Sequence, residues 1–171
     1  MLRARLLRWN IFLPALILFS GACAPRLAVW RPDLLRQTQT VAVLPICVGK
    51  TQREYSELYF PSFYKGFSKK FAGRFKIVGA DDLLRTEKNP PAANSDSTWD
   101  AALEAGKKLN ADIVIGILID DSDHPGKLIE IIKAAKPSNE KIAAGGNWLL
   151  TPKDNYTFSR ELKSLEAIFK R

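Results

Sequence analysis

Several residue types on which common enzyme mechanisms depend are scarce in this chain of 171 residues, which contains one histidine and two cysteines. A serine or cysteine triad would have to recruit His124, and the Gly-x-Ser-x-Gly pattern of serine hydrolases is absent. Gly49-Lys50-Thr51 lacks the earlier glycine of a phosphate-binding loop. Cys47 lies in an apolar run and is expected to be a buried, unreactive thiol. The sequence therefore gives no support to nucleophilic catalysis.

Long apolar runs and dense basic blocks are also missing. The apolar stretch Ile11–Phe19 is shorter than the roughly 20 residues that cross a bilayer, and Asn10 and Pro14 interrupt the segment around it. The formal net charge is +8, but the basic residues are scattered without a run of about five or six. These absences argue against an uncleaved membrane-spanning anchor and against nucleic acid as a partner.

The amino terminus has the form of a cleaved export signal. Three arginines precede the apolar stretch, and the small residues Ser20, Gly21 and Ala22 lie directly before Cys23. This arrangement resembles a bacterial lipobox, in which the cysteine thiol receives acyl chains such as palmitate and the signal is cut just before it. Ser20 stands where a lipobox usually has leucine, so an ordinary secretory signal with an incidental Cys23 is the alternative.

The lipobox resemblance implies an acyl-anchored chain whose mature form begins at Cys23. Ala24 replaces the aspartate that often keeps such lipoproteins on the inner membrane, which implies the periplasmic face of the outer membrane. We expect a signal peptide over residues 1–22, a lipidated tether over 23–39 and one α/β domain over 40–171. The prolines and the lack of a clean hydrophobic period predict the tether.

Hydrophobic patterning predicts alternating strands and helices in the domain. The apolar run at residues 40–46 predicts a strand buried on both faces. An aromatic stripe predicts a core-packing helix over 59–72, with Pro61 in its first turn because proline disrupts helix interiors. We further predict strands over 75–78, 111–119 and 142–149, a helix that Ser97 or Thr98 caps, and a helix over 157–169. Propensity alone leaves residues 127–136 open between helix and strand.

Three stretches resemble the amino-terminal domain of TolB-like envelope lipoproteins: Thr40–Pro45, Gly73–Val78 and Ala102–Gly116. The curli-secretion lipoproteins and the lipoproteins that activate penicillin-binding proteins are relatives in this class. The resemblance implies a mixed α/β sheet of three to five strands packed by about three helices, with residues 127–136 as a strand. Our leading hypothesis is a non-enzymatic interaction or assembly module in the cell envelope, and we expect no cofactor or metal.

Aromatic residues expected at the ends of elements are the candidate contact points for a partner. They are Tyr55, Tyr59, Trp148 and Tyr156. Aromatic side chains often carry much of the energy of protein interfaces, although any of these four can equally be a core residue. We expect the partner to be an envelope protein or a cell-wall polymer, in addition to the membrane that the acyl chains enter. The sequence does not determine the oligomeric state.

A polar cluster after one strand supports an alternative function. Asp120, Asp123 and His124 carry groups that metal-dependent or acid–base hydrolases use. The spacing fails the pattern of a calcium-binding loop, which favours a solvated turn. A third hypothesis is a subunit of a curli-type secretion assembly, but the chain has little room for the extra membrane hairpins of those pores.

Overall fold

The computed structural model describes residues 27–86, 97–121, 128–150 and 158–170. These residues form six strands and five helices. The strands are β1 (Ala28–Val29), β2 (Thr40–Ile46), β3 (Lys76–Val78), β4 (Ile113–Asp121), β5 (Leu128–Lys136) and β6 (Lys141–Leu150). The helices are α1 (Pro32–Arg36), α2 (Lys50–Phe71), α3 (Ala80–Thr86), α4 (Trp99–Lys108) and α5 (Ser159–Phe169).

All six strands belong to one mixed sheet in the order β1-β6-β5-β4-β2-β3. Strand β2 runs parallel to both of its neighbours, β3 and β4, while the remaining pairs are antiparallel. The predicted boundaries of β2 are confirmed, and its residues Val41–Leu44 are buried, as an apolar run without alternation indicates. The domain is therefore mixed α/β, as expected.

Helices cover the two faces of the sheet unequally. On one face, α2 and α5 pack together through aromatic residues such as Phe67, Phe71 and Phe169, above β2 and β4. Full burial of each large apolar side chain contributes about 1.5–3 kcal/mol, so this stripe is a main source of stability. On the opposite face, α4 packs Ala102 and Leu103 over β2 and the start of β4. We call this second side the α4 face.

Two further predictions are confirmed, one from a capping residue and one that the family resemblance implied. The hydroxyl of Thr98 caps α4 by accepting a hydrogen bond from the backbone N–H of Ala101 at 3.2 Å. The ambiguous segment at 127–136 contains strand β5, which pairs on both sides with β4 and β6. The β-branched residues of β5 suit a strand, and Ile132 is fully buried there.

Helix α2 corrects the prediction that the regular helix begins near Pro61. It begins at Lys50, so Pro61 lies in its interior. Proline removes a helical hydrogen bond, but Pro61 is exposed, and the carbonyl group that loses its partner is on a side where water can reach it. Tyr55 and Tyr59 pack against the core, and this tertiary burial stabilises the turns before the proline.

The described part of the predicted tether is also folded. Strand β1 pairs with β6, and Leu27 and Leu35 are buried in the core. The domain therefore begins by residue 27, and the sheet exceeds the three to five strands expected, just as the described helices exceed the expected three. A two-residue strand and a five-residue helix carry too little periodicity to be seen in the sequence. Among the described residues no helix is long and apolar enough to span a membrane.

Candidate functional site

A cleft lies at the carboxyl ends of the two parallel strands β2 and β3. The chain leaves β2 toward α2 on one face of the sheet, and after β3 it continues through α3 to α4, which lies on the other face. Adjacent parallel strands whose connections depart to opposite faces leave a crevice beyond their carboxyl ends, where α/β proteins commonly bind ligands. The topology therefore creates this cleft, which we call the switch-point cleft.

The switch-point cleft has a volume of about 380 Å³ and two kinds of wall. One wall is apolar, with the rings of Phe60 and Tyr64 at a centroid distance of 6.0 Å and an angle of 34°. The absence of a side chain at Gly79 makes room for Tyr64, because a Cβ atom there would come within 2.8 Å of its ring. The described residues that line it are Pro45, Ser56, Glu57, Phe60, Pro61, Tyr64, Gly79, Ala80 and Asp81.

Carboxylates dominate the electrostatics of the switch-point cleft. Glu57 and Asp81 line it and are exposed, while Asp82 lies beside it and accepts a hydrogen bond from the backbone N–H of Gly79 at 2.9 Å. Burial and then the nearby charges of Asp82 and Asp81 raise the pKa of Tyr64. Tyr64 therefore remains a neutral hydroxyl in a locally negative field.

Sequence reasoning placed Phe60 and Tyr64 in the core stripe of α2 and did not single out Glu57. The two rings are half-buried because they sit at the margin of that stripe, where the helix meets the cleft. A signal was present in the acidic pair after Gly79, which directly follows a predicted strand. The proximity of this acidic pair to α2 arises because the folded chain brings β3 beside β2, which the sequence does not show.

Of the four aromatic residues predicted to contact partners, the three that the structure describes do not form one site. Tyr55 and Tyr59 stack at 6.4 Å and lie within α2, on the side away from the switch-point cleft. Trp148 is 1% exposed and is a core residue, because it lies on the face of β6 that α5 covers. Tyr156 and the lipidation candidate Cys23 lie outside the described residues, so their predicted roles stay predictions.

The polar cluster predicted after β4 is only partly described. Asp120 and Asp121 are the last residues of that strand, opposite the start of β5. Asp123 and His124 lie outside the described ranges. Within those ranges, the structure contains no group of three or more metal-ligating side chains.

A second surface lies on the α4 face, over β5 and β6. Two tryptophans flank it: Trp99 lies over Gly116, and Trp30 lies over Gly145. Lys133 stands between these glycines in the strand register, and its ammonium group is 5.9 Å from the centre of the Trp99 ring. We call this surface the open half of the α4 face.

Apolar exposure distinguishes this open half. Trp30 is 58% exposed and Ile142 is 41% exposed, while Leu118 and Ile131 are half-buried. These residues share one side of the sheet because strand side chains alternate between the faces. The same side also carries Lys133, Asn147 and Asp120, and exposed apolar area beside such polar residues is typical of a site that another molecule covers.

A third polar cluster is buried beneath α5. Glu130 is fully buried on β5, and neither of its carboxylate oxygens has a hydrogen-bond partner. Burial, and then the nearby charge of Glu161, raises the pKa of Glu130 to about 9, while Arg160 opposes the shift. Trp148 lies directly opposite on β6, and its indole N–H is also unpartnered. Glu130 is therefore a neutral acid at physiological pH, enclosed away from solvent.

Sequence reasoning missed Glu130, although a signal was present. It shares every second position of β5 with Leu128, Ile132 and Ala134, all of which are buried. A carboxylate in such an alternating apolar set is expected on the buried face of a strand. Because the cluster is closed to solvent, it is a determinant of stability and not a place where a substrate can bind.

No protein-family model matches the chain, and no curated protein matches it in sequence. Among solved structures, a PelC dodecamer from Paraburkholderia phytofirmans is similar, with a TM-score of 0.51 and 12% identity over 84% of this chain and 97% of that chain. A second crystal form of that PelC dodecamer gives a TM-score of 0.49 and 13% identity over 86% and 99%. Lipoprotein GNA1162 from Neisseria meningitidis gives a TM-score of 0.42 and 12% identity over 75% and 91%. At these identities the comparison with PelC at a TM-score of 0.51 shows a shared fold.

Proposed function

We propose that this protein is a lipid-anchored module of the bacterial cell envelope that acts by holding other proteins and not by catalysis. The anchor is the acylated Cys23, and the location is the periplasmic face of the outer membrane. The lipobox-like sequence before Cys23 supports the anchor. The domain fold supports an assembly role, since PelC, a protein crystallised as a dodecamer, shares it.

The position of β1 gives this proposal a definite geometry. Four peptide links join Cys23 to Leu27, the first described residue, and they span at most about 14 Å when fully extended. Because Leu27 is buried in the domain, the folded part lies close to the bilayer that the acyl chains enter. The predicted tether would have allowed about 50 Å. The protein is therefore a module held against the membrane.

We also propose that the module works as an assembly of several copies. The single observation that carries this proposal is the fold shared with PelC, which is described as a dodecamer. The match covers 97% of the PelC chain. The open half of the α4 face supplies a contact surface, because Trp30 and Ile142 leave apolar area exposed on an otherwise basic chain. This proposal includes two finer points: that the domain is related to TolB-like domains, and that the assembly is similar to those of ring-forming secretion subunits.

Native mass measurement of the detergent-extracted full-length protein tests the assembly. We expect a multi-copy species for the natural sequence and a shift toward the single chain for Trp30→Ser. Leu58→Ser is the matched control, since Leu58 is also exposed, at 64%, but lies on α2. A single-chain mass for the natural protein would contradict self-assembly. If the two variants had equal effects, the open half of the α4 face would be excluded as the contact between copies.

Crosslinking in intact cells, read by mass spectrometry, tests the interaction role. We expect crosslinks from Lys133, on the open half of the α4 face, to an envelope protein or to a second copy. Crosslinks confined to cytosolic proteins would contradict the envelope assignment. Metal bound stoichiometrically to the purified protein, and lost in Asp123→Ala, would instead favour the hydrolase alternative.

A further inference from the structure

The switch-point cleft combines features that select one ligand chemistry. Its volume of about 380 Å³ falls near the lower end of the range of about 300–1,000 Å³ typical of small-molecule sites. Its position beyond the carboxyl ends of β2 and β3 is the place where an open α/β sheet presents a crevice. A cavity of this size and position fits a small molecule or one short side chain.

The charge of the cleft is of one sign. Glu57 and Asp81 supply two carboxylates, and Asp82 adds a third beside the lining. Among the described residues that line the cleft there is no lysine, arginine or histidine. This local charge opposes the formal net charge of +8 of the chain. The cleft therefore repels phosphates and carboxylates and attracts cations.

The apolar wall adds a second requirement. The aromatic pair Phe60 and Tyr64 and the ring of Pro61 offer surfaces against which a hydrocarbon stem can lie. A cation above an aromatic face gains an additional attraction from the ring quadrupole. A bare metal ion would use only the carboxylates, while a cation with a carbon stem would use both walls.

We propose that the switch-point cleft binds a small organic cation, an amine or guanidine carried on a short aliphatic stem. The cationic group lies at the mouth between Glu57 and Asp81, and the stem lies along Phe60 and Tyr64. The neutral hydroxyl of Tyr64 is available to accept a hydrogen bond from the bound cation. This site is independent of the anchor and of the assembly proposed above, because neither uses these residues.

Calorimetric titration of the full-length protein in non-ionic detergent tests the proposal, with agmatine as the probe. Agmatine carries a guanidinium and an ammonium group on a four-carbon stem. Citrate serves as the anionic control, and 1-butanol serves as the neutral stem. We expect saturable binding of agmatine that weakens as salt is added, because the paired charges are exposed. We expect no saturable binding of either control compound.

Two variants and a matched control assign the binding to the cleft. Asp81→Asn removes one carboxylate and is expected to weaken agmatine binding about two- to fivefold, the range of an exposed ion pair. Tyr64→Leu removes the aromatic face and is expected to weaken it by a similar factor, about two- to fivefold. Asp100→Asn removes an exposed carboxylate at the start of α4, outside the cleft, and should leave binding unchanged.

Three results would overturn the proposal. The first is the absence of agmatine binding to the folded natural protein at millimolar concentration. The second is binding of citrate as strong as that of agmatine. The third is an equal effect of Asp81→Asn and Asp100→Asn, which would assign the binding to general surface charge. Because Asp81 is exposed, its replacement should leave the fold intact, and the thermal unfolding curve of each variant checks this.

Discussion

Replacing the buried Glu130 by glutamine should stabilise the protein at neutral pH. In the folded protein, burial raises the pKa of Glu130 to about 9 from an ordinary value of 4.5. Between these two pH values the unfolded chain releases the proton of this carboxyl group, while the folded chain retains it. The contribution of the protonated Glu130 to the free energy of unfolding is therefore fully present below about pH 4.5. It is lost as the pH rises toward about 9.

The size of the effect follows from the same linkage. Each pH unit between the two pKa values costs about 1.4 kcal/mol of unfolding free energy. At about pH 7 the accumulated cost is on the order of 3 kcal/mol, a large fraction of the about 5–15 kcal/mol by which domains are stable. Glutamine has nearly the same shape as the neutral acid and carries no ionisable proton. Glu130→Gln should therefore recover most of that free energy.

Urea unfolding at several pH values between about 5 and 8.5 measures this prediction. The difference in unfolding free energy between Glu130→Gln and the natural protein should be small at the acid end and should grow steadily with pH. Glu57→Gln is the control, because Glu57 is exposed on α2, and its effect should stay small throughout. A constant difference between Glu130→Gln and the natural protein at all pH values would refute the assignment of Glu130 as a buried neutral acid.

Three further substitutions test separate parts of the fold. Gly116→Ala should cost about 1–3 kcal/mol and alter tryptophan fluorescence, because its Cβ atom would come within 2.4 Å of the Trp99 ring; Gly73→Ala, where nothing lies within 4 Å, should cost far less. Thr98→Ala should cost about 1 kcal/mol in urea unfolding through loss of the α4 cap. Two lysine ammonium groups lower the pKa of Glu166 to about 2, so Glu166→Gln should destabilise the protein near neutral pH. That difference should shrink as the pH falls from about 4.5 toward 2, and an unchanged difference would contradict the ion pairs.

Elements that bury a continuous or periodic apolar pattern could be predicted from the sequence. Strand β2 has the predicted boundaries because its apolar run is buried on both faces. Helix α4 starts where the hydroxyl of Thr98 predicts it. The start of α2 could not be predicted, because Pro61 is a strong local signal that the packing of Tyr55 and Tyr59 overrides.

The candidate sites were harder to predict because they depend on which elements meet. Gly79 and Tyr64 form one wall of the switch-point cleft only because β3 lies beside β2. The open half of the α4 face depends on the register that sets Lys133 opposite Gly145. Glu130 is the exception: its alternation with apolar residues was visible in the sequence and marks a buried acid.

We propose that a folded assembly module is held at the outer membrane by an acylated Cys23. Metabolic labelling with palmitate, followed by membrane fractionation, tests it directly in cells that produce the natural chain or Cys23→Ser. We expect label on the natural protein in the outer-membrane fraction, and Cys23→Ser to be unlabelled and to retain residues 1–22. Label on Cys23→Ser, or an unlabelled natural protein in the cytosol, would contradict the account.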